Sequence, residues 1–130
     1  MALGKQIGKF SLKQTSSTVT PGSGGTLAMQ INLQGQLSGE AGEGIAIGTM
    51  TVEYEPNMKS GTWSYCGMTA LNKGGGNTVN SQGTWEETGH LKFRHRGTSQ
   101  FSDGRTCGVE FENDATSGSV TLSGKLYEWS

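Results

Sequence analysis

Few residues of this 130-residue chain can do acid–base, nucleophilic or metal chemistry, and their spacing limits what they could do. There are two histidines, two cysteines and two aspartates. His90 and His95 are five apart, so on one strand they face opposite ways. No CxxC, HxH or HExxH spacing occurs, so neither a metal site nor a cofactor is expected. Gly74-Gly75-Gly76 lacks the Lys-Ser/Thr of a phosphate loop, and Gly42, Gly44 and Gly48 miss the GxGxxG spacing by one residue. A Ser-His-Asp triad has no Gly-x-Ser-x-Gly elbow to start from, and Asp103 and Asp114 both fall in turn sequences. Glu86 and Glu87 are adjacent and must face opposite ways on a strand. Glu110 and Glu112 share a face, but it is the one opposite Val109 and Phe111, hence solvent. Paired-carboxylate glycosidase chemistry is not supported.

Face arithmetic on His95 is more informative. Leu91, Phe93 and His95 share one phase; Lys92, Arg94 and Arg96 share the other. If the apolar phase points inward, His95 is interior. It is then either a structural histidine satisfied by a hydroxyl or backbone group, or a pocket acid/base, since an unperturbed imidazole titrates near ~6.5. The reverse phase would put Arg94 and Arg96 inside, where they would need an anion such as a carboxylate. The same counting puts Tyr54 with Met50 and Val52, Trp63 with Tyr65, Trp85 with Val79, and Cys107 with Val109 and Phe111. Val120, Leu122 and Leu126 form a further apolar phase that Glu128 ends. Tyr54, Trp63, Tyr65, Trp85, Phe93, His95 and Cys107 are therefore the candidate ligand-binding residues. His95, Trp63, Tyr65 and Trp85 are expected in one cavity. No residue is assigned a catalytic role. Aromatic rings mixed with His, Tyr and Cys suit an apolar pocket with a few polar anchors. The alternative is that the rings fill the interior.

The elements that must position these residues are strands. Leu, Ile, Val and Phe make up only 17% of the chain, while glycine contributes 22 residues and proline 2. Net charge is −1, so the charge half of a disorder signature is missing. Leu27, Met29, Ile31 and Leu33 alternate with Ala28, Gln30, Asn32 and Gln34, the period-two pattern of a strand. Seven more strands are expected: around Phe10 and Leu12, then over 45–54, 58–68, 78–87, 90–101, 105–112 and 119–129. Ser102-Asp103-Gly104 reads as a type I′ hairpin turn. The triplet Gly-Thr-Trp occurs at 61–63 and again at 83–85. Strand glycines such as Gly48, Gly61, Gly67, Gly83 and Gly97 suit sharp bending, and Gly61, Gly67 or Gly83 could hold a bulge. The expectation is one all-β domain over 1–130: an antiparallel eight-stranded up-and-down β-barrel, calycin-like, with negligible helix.

Three segments carry a resemblance: Gly44-Ile45-Ala46-Ile47-Gly48-Thr49-Met50-Thr51, Gly61-Thr62-Trp63-Ser64, and Gly97-Thr98-Ser99-Gln100-Phe101-Ser102-Asp103-Gly104. The chain is similar there to the small β-barrels related to allene oxide cyclase and dirigent proteins, some of them uncharacterised bacterial members. That resemblance implies an eight-stranded barrel, a hydrophobic pocket at one end and a homodimer or homotrimer. It transfers no catalytic residue.

Function is then expected to be binding of a small apolar or aromatic molecule, physiological ligand unknown. A cyclase or isomerase that folds a hydrophobic substrate inside the barrel is the alternative, and an interaction barrel with a partner on its outer face is a third reading. A pI near 6.1 gives no electrostatic case for nucleic acid or an anionic membrane. With no apolar leader at the N-terminus and no membrane-length apolar run, a cytoplasmic location with reduced Cys66 and Cys107 is expected.

Overall fold

The computed structural model describes residues 3–129. It contains β1 (Leu3–Pro21), β2 (Leu27–Ser38), β3 (Gly44–Tyr54), β4 (Ser60–Leu71), β5 (Gly76–Gly89), β6 (Lys92–Phe101), β7 (Thr106–Asp114) and β8 (Thr121–Trp129). Each strand pairs antiparallel with the next, and β8 pairs with β1 to close an up-and-down barrel. Closure leaves no long unpaired edge. The single helical piece among the described residues is a 3-10 turn at Ser23–Gly25. No helix among them is long and apolar enough to cross a membrane.

Period-two alternation decides the wall. In β2, Ile31, Leu33 and Leu37 are buried, while Asn32, Gln34 and Gln36 are exposed. The pattern loosens at the start of β2, where Leu27 and Met29 are only half-buried and Ala28 is buried. The register explains it. The β1–β8 ladder stops at Lys13, so Ser16–Pro21 has no β8 neighbour, and the start of β2 is covered on one side by this overhanging end of β1.

Register shifts interrupt β1 between Leu3 and Gly8 and between Gln14 and Ser16, and β5 between Glu87 and Gly89. None falls at Gly61, Gly67 or Gly83, the places where a bulge would have flipped the phase of Trp63, Tyr65 or Trp85. Those glycines act by close approach. A Cβ on Gly61, Gly83 or Gly97 would collide with the carbonyl oxygen of Glu53, Arg96 or Gln82 on the neighbouring strand. The wall bends there because the backbone has no side chain in the way.

Three local expectations change. Leu91 has φ 55° and lies in a turn, so β6 starts at Lys92 rather than His90, and Leu91 is exposed instead of sharing the interior with Phe93. Met58 likewise has φ 61°, which delays β4 to Ser60. At Ser102-Asp103-Gly104 only Gly104 has positive φ, 96°, whereas type I′ requires it at both central residues. The Asp103 carboxylate instead accepts hydrogen bonds from the Arg105 backbone N–H at 3.1 Å and its Nε at 2.9 Å. This Asx-type bonding holds a wider turn.

Candidate functional site

The two Gly-Thr-Trp triplets meet antiparallel on β4 and β5. Gly61 lies opposite Trp85, Thr62 opposite Thr84, and Trp63 opposite Gly83. Each indole therefore lies over the other triplet's glycine. Trp63 Nε1 donates to the carbonyls of Thr84 at 3.1 Å and Arg96 at 3.2 Å, and Trp85 Nε1 donates to Glu53 O at 3.1 Å. A buried indole N–H without a partner would cost about 1–3 kcal/mol, so these bonds fix both rings inside the barrel. Other rings then fill the space. Trp63 meets Phe111 edge-on at 5.0 Å, Trp85 meets Phe93 at 5.4 Å, and Tyr54 covers Trp85 at 5.1 Å.

His95 stands in the middle of this cluster, 1% exposed. Its ring stacks on Phe111 at 4.5 Å and 18°, with Trp85 at 6.3 Å and Trp63 edge-on at 5.9 Å. Arg94 and Arg96 take the outer phase, so the arrangement with interior arginines is not realised. Nor is the expected hydrogen bond: neither His95 Nδ1 nor Nε2 has a partner. Burial takes the imidazole from its usual range down to about 3, which keeps it neutral at physiological pH. Among the described residues no Ser-His-Asp triad forms, because no side chain bonds to His95 and Asp103 and Asp114 are bound within their own turns.

One step along the barrel the interior changes character. Trp63 is followed on the inner phase of β4 by Tyr65, Gly67 and Thr69. Gly67 pairs with Gly48 of β3, and a Cβ on either would run into the Tyr65 ring. The paired glycines thus recess the ring into the wall. Opposite it, Ser81 Oγ and Ser99 Oγ share a buried hydrogen bond of 2.6 Å. These short and recessed side chains leave a cavity of about 70 Å³. Its lining includes Met50, Trp63, Tyr65, Thr69, Phe101 and Leu122 as well as the serine pair. Burial pushes the Tyr65 phenol up to about 12, so it can donate a hydrogen bond but holds its proton at neutral pH.

Of the seven residues singled out from the sequence, Trp63 and Tyr65 border the cavity. Phe93, His95 and Trp85 belong to the ring cluster, and Tyr54 lies half-buried against it. Cys107 is buried on the inner phase of β7, its thiol pushed up by burial; it lies opposite Ser99 but is not itself among the cavity-lining residues. The cavity expected to join His95, Trp63, Tyr65 and Trp85 is thus divided, because the rings fill the space around His95. Sequence reasoning passed over Ser81, Ser99 and Phe101, although they share the odd phase of Val79, Trp85 and His95. Their small or terminal side chains gave no chemical signal. Among the described residues no group of three His, Cys, Asp or Glu side chains is placed to hold a metal ion. Cys66 is exposed and Cys107 buried, and both are free thiols. No protein-family model, curated protein or solved structure matches this chain.

Proposed function

We propose that the protein binds a small apolar molecule in the open half of its lumen, between the Tyr65 ring and the Ser81–Ser99 pair. The observation that carries this reading is the glycine pair Gly48–Gly67. It holds a large side chain back against the wall and keeps apolar space unfilled. A cavity of about 70 Å³ has room for a handful of water-sized groups. Drug-sized ligands need roughly 300–1,000 Å³. The ligand is therefore only a few heavy atoms, or it displaces the Tyr65 ring on entry. The Ser81–Ser99 pair, Thr69 and the Tyr65 phenol are the hydrogen-bonding groups in a lining that is mostly apolar.

The cyclase or isomerase alternative gains less support. The cavity is small for an extended substrate, and its one ionisable lining group is the Tyr65 phenol, raised to about 12. The strongly shifted imidazole is outside the cavity lining. The two free cysteines fit the reducing, cytoplasmic setting that we assign to the protein.

Titration with short alkanols, benzene and phenol, followed by tryptophan fluorescence, tests the binding reading. The wild-type protein should give saturable changes that select by size, because Trp63 borders the site. Gly48→Ala should abolish them by driving the Tyr65 ring into the cavity. Absence of saturable binding to the wild type, or equal binding by a folded Gly48→Ala variant, would refute the reading.

A further inference from the structure

We infer that residues 39–43, which connect β2 to β3, are a lid over the open half of the lumen, and that Arg105 is its latch. The inference rests on the binding reading only for what passes beneath the lid. The two ends of the barrel are closed by different means. One is filled by the rings of Trp63, Trp85, Phe93 and Phe111 around His95, and a ligand entering there would have to displace them. At the other end the cavity lining includes Leu37 and Phe101, which stand at or next to the ends of β2 and β6. The segment 39–43 covers this second end.

It does so with little apolar mass. Its sequence is Gly-Glu-Ala-Gly-Glu, so the Ala41 methyl is its whole apolar contribution. Ala41 is 1% exposed and belongs to the core cluster. Gly39 and Gly42 bracket it with φ of 105° and 144°, which turn the chain inward and out again. A Cβ on Gly8 would lie 3.1 Å from the Ala41 methyl and 3.6 Å from Leu126, and one on Gly42 would lie 3.7 Å from Leu37. The segment therefore sits beside two residues of the cavity lining.

Polar ties hold it there. The Ala41 N–H donates to Ile7 O at 2.8 Å, and Arg105 Nη2 donates to Ala41 O at 2.8 Å. The latch joins residues 64 positions apart. Asp103 Oδ2 aims the guanidinium by accepting from Arg105 Nε at 2.9 Å. The same group lies 4.9 Å from the centre of the Phe101 ring, so it reaches the lid across a residue that lines the cavity. Lys5 and Glu40 add an exposed ion pair at 3.3 Å, a weak tie in water. A segment with one buried methyl and a few hydrogen bonds at its edge opens at lower free energy than the strands it covers. Opening would uncover Cys107, the first inward residue of β7, buried opposite Ser99.

Thiol labelling reads this opening without any ligand. In a Cys66→Ser background, methyl methanethiosulfonate should modify Cys107 about tenfold faster when Arg105→Ala is added, the change expected for one lost charge-assisted hydrogen bond. Asp114→Ala, which cuts the hydrogen bonds of a turn at the filled end, should leave the rate unchanged. In the wild type, the Ala41 amide should exchange its hydrogen through an opening insensitive to low urea, whereas the Trp85 and His95 amides exchange only on unfolding. That readout needs no variant. Benzene then separates the lid from the binding site, since Arg105→Ala should accelerate both its association and its dissociation. If benzene does not bind while Cys107 and Ala41 behave as described, the binding reading fails and the lid stands. A Cys107 rate unchanged in a folded Arg105→Ala variant, equal acceleration by Asp114→Ala, or an Ala41 amide that exchanges only on global unfolding would overturn the lid, whether or not benzene binds.

Discussion

The two halves of the lumen are built from the same strands and the same alternation, yet one is filled and the other is not. In the filled half, glycines sit opposite tryptophans; the Trp63 indole donates to Thr84 O of the adjacent β5, and the Trp85 indole spans β4 to reach Glu53 O of β3. In the open half, glycines pair with one another, and a tyrosine ring lies over both. The lesson is positional. A strand glycine facing a tryptophan lets the indole lie over it and reach a backbone carbonyl, whereas two facing glycines let the Tyr65 ring recess into the wall and leave space. Both composition and register separate the halves: rings crowd one, while serines, a threonine and the recessed Tyr65 leave the other open.

Cutting a ring from the filled half should have the largest effect. Trp63→Ala or Trp85→Ala should cost about 3–5 kcal/mol in denaturant unfolding, the range for large aromatic truncations in a core. Equal losses from Met50→Ala and Trp85→Ala would blur the distinction between the halves, since the cavity beside Met50 already leaves its packing incomplete.

The next effect is on pH dependence. His95 is neutral in the fold down to about pH 3, while an unfolded histidine takes up a proton near 6.5. The unfolded state therefore binds more protons below pH 6.5. Stability is fully present above that value and is lost as pH falls toward the folded value. At about 1.4 kcal/mol per pH unit, the loss by pH 5 should be about 2 kcal/mol. His95→Leu should remove that slope between pH 7 and 5, a window above the titration of Asp103 and Asp114, whose carboxyls are held low by hydrogen bonds from Arg105 and Thr116. A slope that survives in His95→Leu would place the proton uptake elsewhere.

The smallest effect belongs to the open half. Ser81→Ala alone should cost about 1 kcal/mol, because it leaves the Ser99 hydroxyl buried without its partner. The double change Ser81→Ala and Ser99→Ala should recover most of that loss, since no polar atom is then stranded. A double variant that loses the sum of both single effects would mean that the pair does more than satisfy itself.

Much of the architecture was legible in the chain. Alternation in β2, β6 and β7 put Leu33, His95 and Phe111 inside, and turn residues between short strands implied a meander. The interior phase of Trp63, Tyr65 and Trp85 followed from counting by two, because no bulge interrupts β4. Two things escaped. The positive φ of Leu91 and Met58 has no signature in those side chains, so the edges of β4 and β6 were misplaced. The division of the lumen escaped because it depends on which glycine faces which residue across strands. Gly48–Gly67 and Trp63–Gly83 are pairings between strands, and periodicity within one strand carries no record of them.

The most direct test of the divided lumen is xenon titration monitored by NMR of the side chains. Saturable shifts are expected at the Met50 and Leu122 methyls and the Phe101 ring, with the His95, Trp85 and Phe93 rings unmoved. Shifts centred on His95 and Trp85, or no saturable shift at any interior side chain, would contradict it.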